Sequence, residues 1–336
     1  MLQHDMKPKA LIVCSDSPYP VVVGGYERLI SDYQRYVFCD YDVYLLVCHC
    51  DGECELLHYG MPVPQHLKLP LLFEEKFEFS LFIHPDIDFN DRALIGPLAD
   101  RIPSFCFVQR HPEKQINEAL FRGILTHLSD RPHGDLLRIG GSYNPEVFYK
   151  KRSGEDYVLC VARIYPEKNQ LELVRAYKEK IYDRFGLPLY MVGGTENLEY
   201  FEEVERYIDG VAVIGTADRK APMQPNSWRT AAEIAELCSR ARLFVMASPR
   251  ESFCIAMIEA MACGLTCVVN GNYFGFDREE LRPNVFGPIT RKRGPIVDTI
   301  ASALERDVRI DASEWVKKFS VDNTREKLLG FIKARL

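Results

Sequence analysis

Short apolar runs alternate with longer amphipathic stretches throughout the second half of the chain. The apolar runs, each of strand length, lie at 156–162, 187–193, 211–215, 242–248 and 265–270. The stretches between them, in which apolar residues recur every three or four positions, lie at 166–181, 197–208, 231–241 and 252–262. That period predicts helices, and continuous apolar strands separated by helices indicate a parallel sheet covered on both faces. The second half is therefore predicted to be a doubly wound α/β domain.

The first half of the chain begins with the same pattern. An apolar strand at 10–14 leads through Gly24 and Gly25 into a helical stretch at 26–37. Further strands are predicted at 41–48, 79–84 and 104–108. The stretch from 50 to 80 has a less regular pattern, and we assign no helix or strand to it. We expect a second Rossmann-like domain here.

A polar, turn-rich segment at 140–155 is typical of a linker between two domains. We therefore expect an N-terminal domain at 1–140, a linker at 141–155, a C-terminal domain at 156–310 and C-terminal helices at 311–336 that pack back on the first domain. Ligands bind outside the carboxyl ends of the strands in open α/β sheets. Two such domains facing each other predict a ligand cleft between them.

Composition agrees with two soluble domains. The chain has 336 residues, 47% of them hydrophobic, and no apolar run approaches the roughly 20 residues that span a bilayer. The first residues enter a strand without the apolar core of a signal peptide, so we expect a cytoplasmic protein with no transmembrane segment.

Charge is distributed unevenly between the two halves. Residues 1–150 carry 14 basic and 21 acidic side chains, a net charge of −7, and the remainder carries 28 and 27, a net charge of +1. Nucleic acids and anionic lipid surfaces require clustered Lys and Arg. The acidic first half therefore argues against both partners, although a local basic patch stays compatible with it.

Most of the eleven cysteines lie in apolar runs, where a free thiol behaves as a small hydrophobic group. The exception is the group Cys48, Cys50 and Cys54, with His58 nearby, which has the residue types of a zinc site. It lacks the second pair of ligands at the usual spacing. We therefore expect no metal, and we favour a strand end with incidental thiols.

Two cations follow the first strand of the second half. Arg163 comes directly after the strand and Lys168 five residues later, beside Pro166, which suits the first turn of a helix. Amides at a helix N-terminus bind phosphate, and neighbouring cations add charge-assisted hydrogen bonds. Alone, the two charges are more typical of a solvated helix start. In combination with the segment between Glu251 and Glu259 they predict a phosphate site.

The segment from Glu251 to Glu259 comes at the end of the strand at 242–248. Ser252 is predicted to cap the next helix, which leaves the amides of Phe253, Cys254 and Ile255 to bind an anion. Glu251 precedes this helix, and Glu259 is expected about two turns into it. Carboxylates accept hydrogen bonds from sugar hydroxyls, and an acid among apolar helix residues requires a partner or a ligand.

Several motifs in this order resemble the retaining nucleotide-sugar glycosyltransferases with the E-x7-E motif, the group 1 family that includes sucrose-synthase-like and mannosyl-transferring enzymes. The family's G-R-x-x-P-E-K-G corresponds to ARIYPEKN at 162–169, and its E-G-F-G-x-x-x-x-E-A-M-A-x-G-x-P-V-V to ESFCIAMIEAMACGLTCVV at 251–269. Between them, VGG at 192–194 and VIG at 213–215 resemble its strand ends. The order agrees over about residues 155–275; the first half matches mainly at 24–28 and 144–148.

The resemblance implies the GT-B fold, in which two Rossmann-like parallel-sheet domains face each other across a cleft. It implies transfer of a hexose-type sugar from a nucleoside diphosphate sugar to a hydroxyl of a saccharide or another acceptor. The anomeric configuration would be retained, without a metal and without a cofactor besides the nucleotide sugar. Cations and helix amides would instead stabilise the negative charge that develops on the leaving group.

The resemblance also implies roles for single residues. Arg163 and Lys168 would hold the diphosphate, Glu251 and the amides from Ser252 to Ile255 the donor sugar, and Glu259 the ribose. The other implied donor-binding residues are glycines and one threonine at strand ends: Gly193, Gly215 and Thr216 on the second domain, Gly24 and Gly25 on the first. Without the resemblance, the paired glycines are equally typical of a tight turn.

The sequence departs from the family in several places. Ser252 and Cys254 replace glycines, Thr266 replaces a proline, and an insertion at 217–228 is predicted to form a flap near the base. The family's catalytic histidine in the first domain is not cleanly placed. His111 is our candidate, offset by about two residues, with Gln109 and His84 as the alternatives.

Two other functions stay open at this level. One is a nucleotide-sugar 2-epimerase on the same fold, which requires acid–base residues across the cleft. The other is a non-catalytic binding protein that retains the fold. UDP, GDP and ADP sugars all fit the motifs, and we expect a UDP- or GDP-sugar. The acceptor, a saccharide by expectation, is equally open to lipid-linked saccharides, small metabolites, proteins and modified nucleic-acid bases, and the oligomeric state is open too.

Overall fold

The computed structural model describes residues 7–15, 25–48, 54–83, 95–108, 121–126, 136–151, 153–195, 197–207, 212–214, 230–273, 278–289 and 294–336. The chain forms two compact units. The first comprises Met1–Ser142 together with Val321–Leu336, and the second comprises Tyr143–Ser320. No helix in these ranges has the length and apolarity that crossing a membrane requires.

The first unit contains an eight-stranded sheet. Its strands are β1 (Lys9–Cys14), β2 (Asp42–Cys48), β3 (Cys54–His58), β4 (Met61–Pro62), β5 (Phe77–Ile83), β6 (Ser104–Val108), β7 (Gly123–Thr126) and β8 (Leu136–Arg138). They are ordered β4-β3-β2-β1-β5-β6-β7-β8. The six neighbouring strands β2-β1-β5-β6-β7-β8 are all parallel. At the other edge, β3 is antiparallel to β2, and β4 is antiparallel to β3. The predicted parallel sheet is confirmed for the strands assigned from sequence.

The stretch that the sequence left unassigned forms an antiparallel edge to this sheet. The strands β3 and β4 are joined by a two-residue turn, Tyr59 and Gly60, both with positive φ (51° and 77°). This conformation suits the right-handed twist of a hairpin. Two antiparallel strands at an edge need no crossover helix, so no helical period separates β3 from β4. The rest of the stretch contains a helix, Gln65–Phe73, between this hairpin and β5.

Among the described residues up to Ser142, three helices accompany this sheet: α1 (Gly25–Asp32), α2 (Gln65–Phe73) and α3 (Ile95–Arg101). A π-helical turn, Tyr33–Val37, continues α1. Alternate strand residues pack on opposite sides of the sheet: Ile12 and Phe79 join one buried cluster, and Leu11 and Phe82 join another. Both faces are therefore apolar, as parallel strands covered by helices require.

The second unit is built on a five-stranded parallel sheet. Its strands are β9 (Tyr157–Val161), β10 (Leu189–Val192), β11 (Ala212–Ile214), β12 (Ala241–Met246) and β14 (Cys267–Val269). They are ordered β11-β10-β9-β12-β14. Two very short strands, β13 (Arg250–Glu251) and β15 (Asn272–Tyr273), form a separate parallel pair. Every predicted strand of the second half is present.

The helices of the second unit are α4 (Gln170–Arg175), α5 (Asp183–Phe185), α6 (Leu198–Glu205), α7 (Ala231–Arg240), α8 (Ile255–Ala262), α9 (Arg278–Leu281) and α10 (Ile296–Glu305). Short 3-10 turns lie at Pro166–Lys168, Arg282–Asn284 and Trp315–Phe319, and a π-helical turn lies at Lys178–Tyr182. Helix α7 begins with a capping box, in which Thr230 accepts from the Glu233 amide and Glu233 accepts from the Thr230 amide.

The prediction of one continuous helix over 166–181 is wrong. A 3-10 turn, Pro166–Lys168, ends at Asn169, which has the left-handed backbone conformation (φ 58°, ψ 30°). Asparagine tolerates this conformation better than most residues, so the turn closes and α4 starts anew at Gln170. A π-helical turn, Lys178–Tyr182, then follows α4.

The last helix, α11 (Val321–Lys333), belongs to the first unit. Its residues Leu328, Leu329 and Ile332 join the buried cluster that contains Tyr33 and Val37. The segment predicted as C-terminal helices is therefore divided: the turn Trp315–Phe319 lies in the second unit, and only α11 lies in the first.

Candidate active site

Strand order in the second unit defines where a ligand site is expected. The chain runs outward from β9 through β10 to β11, and then returns to place β12 on the opposite side of β9. The carboxyl ends of β9 and β12 thus flank the point at which the strand order reverses, which is the usual ligand position in open α/β sheets. Arg163 and Lys168 follow β9, and the segment from Glu251 to Glu259 follows β12.

Lys168 and Glu251 meet at this point, although 83 residues separate them in the chain. The Lys168 Nζ donates to Glu251 Oε1 across 2.6 Å, and the two side chains are 24% and 11% exposed. Lys168 ends the 3-10 turn after β9, and Glu251 ends β13 after β12. The structure therefore joins the predicted phosphate-binding cation and the predicted sugar-binding carboxylate into one partly buried ion pair.

Gln170 holds the loop that carries the two predicted cations. Its side-chain amide donates to the Arg163 carbonyl across 2.7 Å, and its Oε1 accepts from the Tyr165 amide at 3.4 Å. Gln170 is 1% exposed and lies at the start of α4, which also buries Leu173 and Val174. The sequence reasoning missed this residue; a polar side chain on the buried face of a helix is the signal that marks it.

Gly193 lets the loop after β10 approach the loop after β9. A Cβ at this position would lie 1.9 Å from the Ala162 carbonyl oxygen and 3.1 Å from the Arg163 amide nitrogen, and φ is +156°. Nearby, the Thr195 hydroxyl donates to the Ile164 carbonyl across 2.9 Å. Gly193 therefore acts on the site by spacing the backbone that carries Arg163.

The predicted cap of α8 is wrong by two residues. Helix α8 begins at Ile255 with Cys254 as its N-cap, and the Cys254 carbonyl accepts from the amides of Met257 and Ile258 at 3.2 Å each. The pairing of β13 with β15 keeps the chain extended through Glu251, so the helix starts later than the position of Ser252 suggested. The helix-end amides available to an anion therefore shift toward Ile255 and away from Phe253.

The later start of α8 also changes the position of Glu259. It is the fifth residue of the helix, so it lies about one turn from the N-terminus, where two turns were predicted. Its side chain is buried, with 7% exposed. A hydrogen bond with Cys263 and burial raise the pKa of Cys238, and the nearby Glu259 carboxylate adds to that rise. Residues of α7 and α8 share one buried cluster, which brings Glu259 near Cys238 of α7.

Two thiols adjoin the Lys168–Glu251 pair. Burial raises the pKa of Cys160 to about 12, and Lys168 partly opposes this effect. Burial also raises the pKa of Cys254, with a further contribution from Glu251. Both thiols are therefore neutral at pH 7 and leave the charges of the ion pair unchanged. Cys254, which replaces a family glycine, brings its side chain next to the predicted donor-sugar position.

Other predicted site residues fall outside the described ranges: Gly24, His84, Gln109, His111, Gly215, Thr216 and the insertion at 217–228. Gly25 is the first residue of α1 in the first unit. The roles of these residues stay predictions.

Two of the three grouped cysteines, Cys48 and Cys54, and the nearby His58 lie in the described part of the first unit. Cys48 and Cys54 lie opposite each other on β2 and β3, with their sulfurs 2.8 Å apart, and the His58 Nε2 is 2.7 Å from Asp42 Oδ1. Cys50 lies outside the described ranges. Across the residues that the structure describes, no three His, Cys, Asp or Glu side chains are grouped as a metal site.

Comparisons with known proteins concern the fold of the chain and one segment of it. Residues 155–281 match the family described as glycosyl transferases group 1. None of the curated proteins compared with the chain matches it. Among solved structures, a glycosyltransferase from Rickettsia africae is 15% identical with a TM-score of 0.68, and the match covers 98% of each chain. Sucrose-phosphate synthase from Thermosynechococcus elongatus is 14% identical with a TM-score of 0.57, covering 97% of this chain and 95% of that one.

A third solved structure is the pneumococcal O-GlcNAc transferase GtfA in complex with UDP and GlcNAc. It is 12% identical with a TM-score of 0.59, and the match covers 86% of this chain. This chain spans only 66% of the length of that protein. The likeness concerns the fold.

The fold and the matched segment define the class of protein. The predicted α/β fold of the GT-B type, with two Rossmann-like domains, is confirmed by these structural neighbours. Residues 155–281 of the second unit match the glycosyl transferases group 1 model, and the solved glycosyltransferases share the fold of the whole chain.

Proposed function

We propose that this protein transfers a hexose-type sugar from a nucleoside diphosphate sugar to a hydroxyl of a saccharide acceptor. The observation that carries the proposal is the ion pair of Lys168 and Glu251, 2.6 Å apart at the strand-order reversal of the group 1 domain. It is supported by the structural neighbours, one of which was solved with UDP and GlcNAc.

The charges of the site suit a departing nucleoside diphosphate. Lys168, Arg163 and the N-terminal amides of α8 lie at or next to the ends of β9 and β12, where they would stabilise the negative charge that develops on the leaving phosphate. Because Lys168 has three N–H donors, it can bind a phosphate oxygen while staying close to Glu251. We propose that this arrangement acts without a metal ion or a further cofactor.

The carboxylates of Glu251 and Glu259 can accept hydrogen bonds from sugar hydroxyl groups. We propose that Glu251 accepts from hydroxyls of the transferred sugar and Glu259 from the ribose. The remaining predicted contacts keep their proposed roles: Gly193, Gly215 and Thr216 on the nucleotide, Gly24 and Gly25 on phosphate or acceptor, and His111 as the catalytic group of the first domain. Retention of the anomeric configuration, a UDP- or GDP-linked donor and a cytoplasmic location belong to the same proposal.

A thermal-shift panel of nucleotides and nucleotide sugars tests the donor site. Binding to the folded state raises Tm, so one nucleoside diphosphate and its sugar conjugates should stabilise the protein most. Glu251→Ala should retain the fold and lose the additional shift that the sugar confers, and transfer activity should fall at least about 100-fold. Lys151→Ala, an exposed cation in the same unit, is the matched control.

The product decides between the remaining functions. NMR of the product should show an anomeric configuration identical to that of the donor, and the rate should be unchanged by EDTA. An epimerised nucleotide sugar formed without acceptor would instead indicate an epimerase. If no nucleotide shifts Tm, or if Glu251→Ala transfers sugar as fast as the wild type, the proposal is wrong.

A further inference from the structure

An aromatic contact joins the segment 250–256, called the donor loop below because it carries the predicted sugar-binding residues, to the end of the second unit. The rings of Phe253 and Phe319 meet edge to face, with centroids 5.3 Å apart and an interplanar angle of 80°. Phe253 lies two residues after Glu251 and directly before Cys254, the N-cap of α8. The contact therefore anchors the segment between the carboxylate and the helix-end amides.

Phe319 is held in place from several directions. Its ring packs edge to face on Trp315, with centroids 5.4 Å apart, and the Lys318 Nζ lies 4.4 Å from the Trp315 centroid and 5.2 Å from that of Phe319. Its carbonyl accepts from the Tyr143 amide across 3.1 Å. The next residue, Ser320, forms a parallel β-bridge with Tyr143.

These contacts give Phe319 an unusual place in the chain. Tyr143 and Ser320 are the first and last residues of the second unit, and their bridge fixes the two segments through which the chain enters and leaves it. The ring of the preceding residue then extends from this bridge to Phe253. A short path of contacts thus leads from the ends of the unit to the loop that carries Glu251.

Resting on the proposed function, we propose that Phe319 is a positioning residue that orders the donor loop through Phe253. Both rings are only partly buried at the edge of the core, so their contact contributes little apolar area to global stability. An edge-to-face pair adds a directional attraction that a smaller apolar side chain does not reproduce. Loss of the ring therefore acts mainly on the conformation of residues 250–256.

The first arm of the test requires no ligand. Amide hydrogen exchange of the peptide covering 250–256 should be about three- to tenfold faster in Phe319→Ala than in the wild type, the range expected for one aromatic pair. Phe319→Leu should give a smaller increase, and Phe319→Tyr, which keeps the aromatic edge, should restore the wild-type rate. Phe185→Ala removes another partly buried ring of the same unit and serves as the control.

The second arm measures binding. The Kd of the nucleoside diphosphate that best stabilises the wild type should rise about three- to tenfold in Phe319→Ala and return in Phe319→Tyr. The donor KM should rise in parallel while the acceptor KM stays unchanged. Phe185→Ala should lower Tm without altering either binding constant.

Equal exchange at 250–256 in the wild type and Phe319→Ala overturns the positioning role, as does an equal change in Phe185→Ala. If the wild type binds no nucleotide, the proposed function fails, while the exchange measurement still decides whether Phe319 orders this loop. A rise in exchange with unchanged Kd also contradicts the proposal.

Discussion

Lys168 and Glu251 satisfy each other's charge across 2.6 Å. Their side chains are 24% and 11% exposed, so water screens the pair less than it screens a surface ion pair. Removing one partner leaves the other charge in a partly desolvated place. The same two groups that are proposed to bind the donor therefore also stabilise the unit that contains them.

Replacing Lys168 with Met should lower the free energy of unfolding by about 1–3 kcal/mol, because the Glu251 carboxylate loses its partner. Adding Glu251→Gln should recover part of that loss, since the unpaired charge is then gone. Urea denaturation of the two single variants and the double variant gives the coupling energy.

A surface pair in the same unit provides the control. Lys151 and Glu236 are 3.3 Å apart, and both side chains are more than half exposed. Lys151→Met should change the free energy of unfolding by less than about 1 kcal/mol. A loss in Lys168→Met as small as this would mean that the ion pair contributes nothing to stability.

Asp32, at the end of α1, makes stability depend on pH. Burial raises its pKa from 3.8 to about 6, although the Arg28 guanidinium, 3.2 Å from Oδ1, opposes the rise. As pH increases from about 4 to 6, the unfolded chain releases this proton before the folded protein does. The free energy of unfolding should therefore fall over that window, by about 3 kcal/mol, and then level off.

Asp32→Asn removes this titration while keeping an oxygen that accepts from Arg28. The difference in unfolding free energy between Asp32→Asn and the wild type should grow from pH 4 to 6 and stay constant above it. Urea denaturation at pH 4, 5, 6 and 7 measures the difference. Parallel pH profiles for the two proteins would exclude Asp32 as the titrating group.

At the scale of elements, the site depends on the spacing of two loops. The loop after β10 passes so close to the loop after β9 that a Cβ on Gly193 would overlap the Ala162 carbonyl. Backbone atoms are the obstacle here, so relief requires the loops to separate.

Gly193→Ala should therefore shift the backbone at Arg163 and weaken nucleotide binding at least about tenfold, with a loss of stability of roughly 1–3 kcal/mol. Calorimetric titration and urea denaturation measure the two effects.

Gly330→Ala is the control, because an added Cβ in α11 meets nothing within 4 Å. This variant should be as stable as the wild type or more so by about 0.5–1 kcal/mol. Unchanged binding in Gly193→Ala would contradict the role given to this glycine.

At the scale of the whole molecule, the C-terminal residues complete the first unit. Leu328 and Ile332 of α11 are fully buried among residues of the N-terminal segment, and Arg325 forms an ion pair with Asp40. The core of the first unit is therefore assembled from both ends of the chain.

Leu328→Ala should lower the stability of the first unit by about 2–5 kcal/mol, the usual cost of deleting a buried leucine side chain. Hydrogen exchange should accelerate in β1 and leave β12 unchanged. Leu336 is 44% exposed, so Leu336→Ala should have little effect on the stability of the first unit. Equal acceleration in β1 and β12 would show that α11 does not stabilise the first unit specifically.

Much of the second unit could be predicted from the sequence, because its strands and helices follow from local apolar periods. The boundaries of α8 could not be predicted in this way. Ser252 is a good cap by residue type, but the pairing of Arg250–Glu251 with Asn272–Tyr273 holds the chain extended past the expected start. The break at Asn169 was likewise hidden, since the apolar period continues across it.

The sequence by itself determined the α/β class, the strands β1, β2, β5 and β6 of the first sheet, and all five strands of the second sheet. It also supplied the residue types of the proposed donor site. These features depend on side-chain burial within one element or on short motifs. Only the tertiary structure decided that Lys168 contacts Glu251, that Phe319 packs on Phe253 and that α11 completes the first unit. Such contacts depend on strand order and on where the chain crosses between elements, which an apolar period along one element does not encode.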